Sequence, residues 1–99
     1  MGFFDSLFNR STASAVDYTE KIKNGALVID VRSPGEFNGG HVKGSTNIPL
    51  QNIANSLNKL KGKEVILVCR SGARAGQAQG ILQNAGITAY NAGAWQNIN

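Results

Sequence analysis

The sequence Val65-Ile66-Leu67-Val68-Cys69-Arg70-Ser71-Gly72-Ala73-Arg74-Ala75 joins an apolar run to a glycine-containing turn and then to small residues. The apolar run predicts a strand buried on both faces, and the residues after Cys69 predict a tight turn into a helix. This connection brings Cys69, the only cysteine of the chain, beside the backbone N–H groups of a helix N-terminus. The guanidinium groups of Arg70 and Arg74 belong to the same turn. Amides, helix dipole and positive charge all favour a thiolate, so Cys69 is predicted to be a nucleophile.

Short apolar runs occur on both sides of this stretch. Residues 26–31 form a second apolar run, interrupted only by Asp30, and predict another buried strand. Residues 87–90 predict a last short strand, followed by a loop or a single helical turn. Because these runs alternate with helical patterns, we expect an α/β layer fold with a mostly parallel sheet. Sites in such folds form at the carboxyl ends of strands, where Cys69 and Asp30 are both found.

Three segments have the pattern of helices. Asp17 and Glu20 have the spacing of a capping box and predict a short helix that ends near Gly25. Residues 50–60 carry leucine and isoleucine at spacings of three, four and three, which predicts one amphipathic helix. Residues 75–85 place small and aliphatic side chains on one face and predict a slim helix against the sheet. The residues from Ser33 to Gly40 are expected to form a loop.

Composition limits the class of protein. The chain has 99 residues, 41% of them hydrophobic, which is enough for one small domain, and no apolar run approaches the roughly 18 residues of a membrane span. The net charge of +4 suits small anionic substrates, and the basic residues are too scattered to predict a nucleic-acid partner. No metal-ligand spacing surrounds the single cysteine, so no metal site is predicted. The single cysteine and the lack of a recognisable secretory signal predict a cytoplasmic location.

The N-terminus differs from the rest of the chain. Residues 1–11 form an apolar extension, and residues 12–99 are expected to form the domain. Phe3, Phe4 and Phe8 would share one face of a short helix with a leucine between them. That face is expected to dock on the domain or on a sister subunit. The alternative is a membrane contact through residues 1–8.

Several chemistries are open to a cysteine of this kind. A thioredoxin-type dithiol is excluded because no second cysteine exists, and a Cys-His protease has only His41, which lies in a glycine-rich loop without an orienting partner. A phosphatase-type loop is one residue longer between Cys and Arg, because its amides must surround a whole phosphate. Four residues separate Cys69 from Arg74, and this shorter ring is better matched to one sulfur atom. An inert buried cysteine is the remaining alternative.

Four blocks of the sequence together resemble the single-domain rhodaneses, a family of thiosulfate-type sulfurtransferases, over about residues 12–94. The blocks are Asp30-Val31-Arg32 with Pro34-Gly35-Glu36-Phe37, Gly40-His41-Val42-Lys43-Gly44-Ser45 with Asn47-Ile48-Pro49, Cys69 to Ala75, and Gly86-Ile87 to Gly93. The resemblance implies a three-layer fold with a mostly parallel sheet of about five short strands flanked by helices.

The resemblance also implies an activity and roles for individual residues. The Cys69 thiolate would take the outer sulfur of thiosulfate or of another sulfane donor such as a persulfide. An acceptor such as cyanide, a small thiol or a thioredoxin-like protein would then remove it. The persulfide on Cys69 would be the only intermediate, with no cofactor. A sulfur-relay or protein-binding module without turnover is the alternative, and a cysteine phosphatase is a weaker one. The residues expected to bind substrate are Arg70, Ser71, Gly72, Ala73, Arg74 and Ala75.

Four further positions match residues that are mainly architectural in the family: Asp30, Arg32, Glu36 and His41. Arg32 and Glu36 are spaced to pair across the turn between them. The carboxylate of Asp30 is expected to accept hydrogen bonds from loop amides near the site.

Overall fold

A computed structural model describes residues 16–98, in which the apolar runs form a single parallel sheet. Its strands are β1 (Leu27–Asp30), β2 (Thr46–Asn47), β3 (Val65–Cys69) and β4 (Ala89–Ala94). They lie in the order β2-β1-β3-β4, and every neighbouring pair is parallel. Every residue of β3 is buried, because strands flank it on both sides and packed layers cover both faces. The prediction of a parallel sheet is confirmed.

The expected strand count was wrong for the part of the chain that the structure describes. Residues 16–98 contain four strands, whereas the resemblance implied about five. The described chain enters helix α1 (Tyr18–Lys23) directly, and no extended run precedes β1 within it. The apolar extension at residues 1–11, the domain boundary at residue 12 and the aromatic face at residues 1–8 lie outside the described residues.

Side-chain caps fix where the first two helices begin. Asp17 Oδ1 accepts a hydrogen bond from Glu20 N at 3.1 Å and caps α1, as predicted. Residues 34–38 form helix α2 (Pro34–Asn38) rather than the expected loop. Ser33 and Glu36 complete a reciprocal capping box, and Pro34 occupies the first turn, where a missing N–H costs nothing. The loop prediction failed because it gave more weight to the proline and glycine than to this cap.

The segment 50–60 is not one helix. It forms a 3₁₀ helix at Leu50–Asn55 and a short helix α3 (Leu57–Leu60), separated at Ser56. Ser56 Oγ donates a hydrogen bond to Asn52 O at 2.9 Å, a side-chain bond that competes with the regular helical pattern. The apolar face was predicted correctly, since Ile53 and Leu60 are fully buried.

The two faces of the sheet support separate parts of the core. Ile29, Leu67 and Cys69 point to the side covered by helix α4 (Ala73–Asn84), where Ala75, Ala78 and Leu82 are buried. On the other side, Val28, Ile66 and Val68 pack with Ile98 and with partly buried side chains of α1. The α/β layered prediction is therefore confirmed. No helix within residues 16–98 is long and apolar enough to cross a membrane.

The last strand is longer than predicted and contains an irregularity. Leu67 pairs with Asn91, but Cys69 pairs with Ala94, so β4 holds one extra residue against β3. Gly93 lies in this irregular segment with φ +79°, a conformation that glycine adopts without strain. A 3₁₀ turn at Trp95–Asn97 comes next, in agreement with the predicted single helical turn.

A buried ion pair stands at the carboxyl end of β1. Asp30 is completely buried and Arg32 is 5% exposed. Arg32 Nε and Nη2 donate to Asp30 Oδ1 and Oδ2 at 2.9 and 2.7 Å, and Nη2 also donates to Gly40 O at 2.6 Å. The Arg32 guanidinium carbon lies 5.0 Å from the centre of the Trp95 ring. These contacts join the end of β1, the loop at Gly40 and the C-terminal turn.

We expect Asp30→Ala to lower the free energy of unfolding by about 3–5 kcal/mol, because the Arg32 charge would stay buried without its partner. Urea denaturation followed by circular dichroism measures the change. Glu64→Ala is the matched control, since it breaks the exposed ion pair between Lys21 Nζ and Glu64 Oε1, which are 3.2 Å apart. That change should cost less than about 1 kcal/mol. Equal losses in the two variants would contradict a special role for the buried pair.

Candidate active site

The candidate site is built at the junction of β3 and α4. Cys69 is the last residue of β3, and its side chain is 1% exposed. Gly72 caps the following helix with φ +103°, which turns the chain back toward the sulfur. Cys69 Sγ accepts hydrogen bonds from Gly72 N at 2.9 Å and from Ala75 N at 3.4 Å. Two backbone amides therefore stabilise negative charge on this sulfur.

Within residues 16–98, the backbone amides that donate to Cys69 Sγ are those of Gly72 and Ala75. Both residues belong to the set that was expected to bind substrate. Ser71 and Ala73 are exposed.

Asn91 braces the turn from β4. Its Nδ2 donates to Gly72 O at 2.9 Å, and its Oδ1 accepts from Gly93 N at 2.9 Å. A Cβ atom added to Gly72 would lie 3.5 Å from Gly93 Cα, so the two backbone segments are closely packed. Sequence reasoning missed Asn91. The one available signal was its position two residues before Gly93, a glycine that can mark a bulge but does not identify a partner for Asn91.

The two arginines of the loop have different surroundings. Arg70 is exposed and has no ion-pair partner within residues 16–98. Arg74, at the start of α4, donates from Nη1 to Glu36 Oε1 at 2.7 Å and from Nη2 to Glu36 Oε2 at 3.1 Å. The prediction that Glu36 pairs with Arg32 is therefore wrong. Arg32 turns inward to the buried Asp30, which leaves Glu36 free to bind Arg74.

Glu36 is held by its own helix cap as well as by Arg74. Its Oε1 accepts from Ser33 N at 3.0 Å and from Ser33 Oγ at 3.1 Å. The hydrogen bonds from Arg74, followed by that from the Ser33 backbone, lower the pKa of Glu36 from 4.5 to about 2. In the opposite sense, the hydrogen bond to Glu36 is the main cause that raises the pKa of Arg74, and the charges of Cys69 and Asp30 add to it.

Asp30 accepts from a loop amide, as expected, and this amide belongs to the loop directly after β1. Its carboxylate accepts from the backbone N of Arg32 at 3.0 Å and from the Arg32 side chain. Because the buried Arg32 guanidinium donates to both carboxylate oxygens of Asp30, this carboxylate is directed to Arg32 rather than to more distant amides. Asn47, which sequence reasoning did not single out, donates from Nδ2 to the backbone oxygens of Asp30 and Arg32, at 2.9 Å each. Together these contacts hold the end of β1 in place.

His41 packs on α2 instead of facing a catalytic partner. Its ring stacks on Phe37 with the ring centres 3.7 Å apart, and its Nδ1 lies 2.8 Å from Phe37 O. This arrangement fits the supporting position predicted for His41 and offers no base to Cys69. Residues 16–98 contain no group of three or more His, Cys, Asp or Glu side chains that could hold a metal ion.

Comparison with known proteins assigns the fold to a family. The chain matches the Rhodanese-like domain family over residues 14–98. It is 42% identical over 64 residues to the uncharacterized protein YqhL of Bacillus subtilis, covering 64% of this chain and 51% of that protein. It is 36% identical over 74 residues to the thiosulfate sulfurtransferase PspE of Escherichia coli, covering 71% of each. The chain thus spans about half the length of the Bacillus protein.

Solved structures agree with this family match. An Escherichia coli rhodanese with bound anions superposes with a TM-score of 0.69 at 32% identity, covering 75% of this chain and 92% of that one. The human single-domain sulfurtransferase TSTD1 superposes with a TM-score of 0.67 at 23% identity, covering 81% of this chain and 86% of that one. The similarity to the human protein, at this low identity, shows a shared fold.

We expect Gly72→Ala to destabilise the protein by about 1–2 kcal/mol, because an alanine at φ +103° is strained even though its Cβ would make only ordinary contacts. Gly80→Ala in the same helix is the matched control. Gly80 has open space around its Cβ position and ordinary helical backbone, so alanine there should stabilise by about 0.5–1 kcal/mol. Urea denaturation measures both, and a loss of stability in both variants would contradict the explanation.

The lowered pKa of Glu36 makes part of the stability depend on pH. The ionised Glu36 contributes its full share to the free energy of unfolding when the pH is above 4.5, its pKa in the unfolded chain. This share is lost as the pH falls through about 2, its pKa in the folded protein. The Tm of the wild type should therefore exceed that of Glu36→Gln by a constant amount near neutral pH. The difference should shrink as the pH falls from 4.5 toward 2. Thermal unfolding at a series of pH values measures it, and a difference that stays constant would count against the ion pair.

Proposed function

Because the chain belongs to the rhodanese-like domain family, we propose that it is a sulfurtransferase that carries one sulfane sulfur on Cys69. The observation that supports this most is the position of Sγ, which accepts hydrogen bonds from Gly72 N at 2.9 Å and Ala75 N at 3.4 Å. Both donors stabilise a thiolate before the reaction and negative charge on sulfur during it. The name of the relative PspE, a thiosulfate sulfurtransferase, supports the same reaction class.

The proposed reaction has two steps and needs no cofactor. First, the Cys69 thiolate attacks the outer sulfur of thiosulfate or of a persulfide donor. A bond forms between the two sulfurs, the bond to the rest of the donor breaks, and sulfite or a thiolate leaves with the electron pair. Second, an acceptor such as cyanide, a small thiol or a thioredoxin-like protein thiol attacks the outer sulfur of the Cys69 persulfide. The Cys69 thiolate is then released with its amide contacts available again.

Each loop residue has a role in this scheme that depends on its surroundings. The amides of Gly72 and Ala75 hold the charge on sulfur, and Gly72 supplies the backbone conformation that aims both of them. Arg70 is exposed beside the cysteine and attracts the anionic donor. Asp30, Arg32 and His41 act as supports, because their hydrogen bonds run to strand ends and to α2 rather than to the sulfur.

We expect Cys69 to gain the mass of one sulfur atom after incubation with thiosulfate or with an alkyl hydropersulfide. Intact-protein mass spectrometry measures the gain, and dithiothreitol should remove it because a persulfide is reduced by thiols. Cys69→Ser is the control and should gain nothing. If folded wild-type protein gains no sulfur from either donor, the proposed function is wrong. Hydrolysis of an aryl phosphate by the wild type but not by Cys69→Ser would favour a phosphatase instead.

A further inference from the structure

Three arginines lie near the carboxyl ends of β1 and β3, and two of them are already neutralised. Arg32 is paired with the buried Asp30, and Arg74 is paired with Glu36 through two hydrogen bonds. Arg70 is exposed and has no ion-pair partner in the described part of the chain. The site therefore presents about one uncompensated guanidinium to an incoming donor, although its sequence contains two in the loop.

Hydrogen bonds from Ser33 fix the Glu36 carboxylate in the position in which it binds Arg74. Its Oε1 accepts three hydrogen bonds, two from Ser33 and one from Arg74, and its Oε2 accepts a fourth from Arg74. The capping box fixes this carboxylate at the start of α2, so pairing with Arg74 costs little further ordering of the glutamate. An anion that displaced Glu36 would lose a bidentate contact between prearranged groups.

Resting on the proposed function, we propose that Glu36 determines donor specificity: by neutralising Arg74, it makes the site favour singly charged sulfane-sulfur donors, such as thiosulfonates and hydropersulfides, over the dianion thiosulfate. The carboxylate acts through Arg74 and touches no reacting atom, which makes it a specificity-determining positioning residue. Neither Glu36 nor Arg74 donates a hydrogen bond to Cys69 Sγ, which accepts from Gly72 N and Ala75 N.

The chemistry of the two donors shows why one charge matters. With methanethiosulfonate, the Cys69 thiolate attacks the sulfane sulfur, the S–S bond of the donor breaks, and methanesulfinate leaves with the electron pair and one negative charge. With thiosulfate, the same bond breaks and sulfite leaves with two negative charges. The guanidinium of Arg70, which has no ion-pair partner within residues 16–98, can balance the charge of the first leaving group, whereas the second leaving group carries twice that charge.

Glu36→Gln tests the proposal. Glutamine can replace glutamate in a capping box, so α2 should stay capped while Arg74 is no longer neutralised. We expect the ratio of kcat/KM for thiosulfate to kcat/KM for methanethiosulfonate to rise about tenfold, the effect of one added charge-assisted contact to a dianion. The use of thiosulfate should also become more sensitive to added NaCl.

Two further variants serve as controls. Glu36→Gln combined with Arg74→Gln should lose the gain, because the released charge is then absent. Glu20→Gln makes the same chemical change at the corresponding position of α1 and should leave the ratio unchanged, since Glu20 contacts Asn24 on its own helix. Circular dichroism confirms that each variant is folded.

A measurement on the wild type needs no variant. Sulfate and methanesulfonate are non-reacting analogues of the two donors, and methanesulfonate should inhibit methanethiosulfonate turnover at least as strongly as sulfate does. A tenfold stronger inhibition by sulfate, or an unchanged donor ratio in folded Glu36→Gln, would overturn the inference while leaving the proposed function intact. Failure of the wild type to take sulfur from any of these donors would overturn the proposed function itself.

Discussion

The arrangement of this protein depends on two hydrogen bonds from backbone amides to one buried sulfur. Cys69 Sγ is reached by Gly72 N and Ala75 N only because β3 ends at the cysteine and the chain turns at a positive φ. The sulfur is kept out of water because it lies on a central strand with both faces covered. Hydrogen bonds from amides are stronger in such a buried environment than in water. The two amides therefore reach the sulfur only if the strand is buried, the chain turns at Gly72 and the helix begins directly afterwards. The small residues of α4 contribute by letting this helix approach the sheet.

Charge around the sulfur is controlled by pairing rather than by the number of basic residues. The net charge of +4 suggests a site rich in free cations. In the folded chain, Asp30 balances Arg32 and Glu36 balances Arg74, so the field at the strand ends is much weaker than the sequence implies. The two pairs also differ in kind. The first is buried and joins the end of β1 to the loop at Gly40, whereas the second is partly exposed and can respond to salt and to ligands.

The sequence predicted local features of the site well and long-range ones poorly. The path from strand to turn to helix at Cys69 is set by adjacent residues, and the cap at Asp17 is set by a spacing of three. The partner of Glu36 is 38 positions away, so no local pattern could favour Arg74 over the nearer Arg32. Asn91 was missed for the same reason, because its contact with Gly72 exists only once β3 and β4 are paired.

The predicted helix boundaries were wrong for a different reason. The apolar face of residues 50–60 was visible in the sequence, but the segment is divided at Ser56, whose hydroxyl donates to the backbone oxygen of Asn52. Hydrophobic spacing reports which side of a segment is buried, while polar side chains decide whether the helix is continuous. For residues 34–38, the cap outweighed the proline and glycine that had suggested a loop.

The contact of Trp95 with Arg32 has a consequence for how the domain is made during synthesis. The first strand of the sheet is completed by an aromatic ring that comes more than sixty positions later in the chain, and Ile98 packs in the same cluster as Val28. Translation delivers the chain from its N-terminus, so β1 must wait for the segment around Trp95 to leave the ribosome before its surroundings are complete. Contacts of such wide separation also slow folding in general. A domain of this topology therefore completes the surroundings of the Asp30–Arg32 pair only after the turn at Trp95–Asn97 has formed.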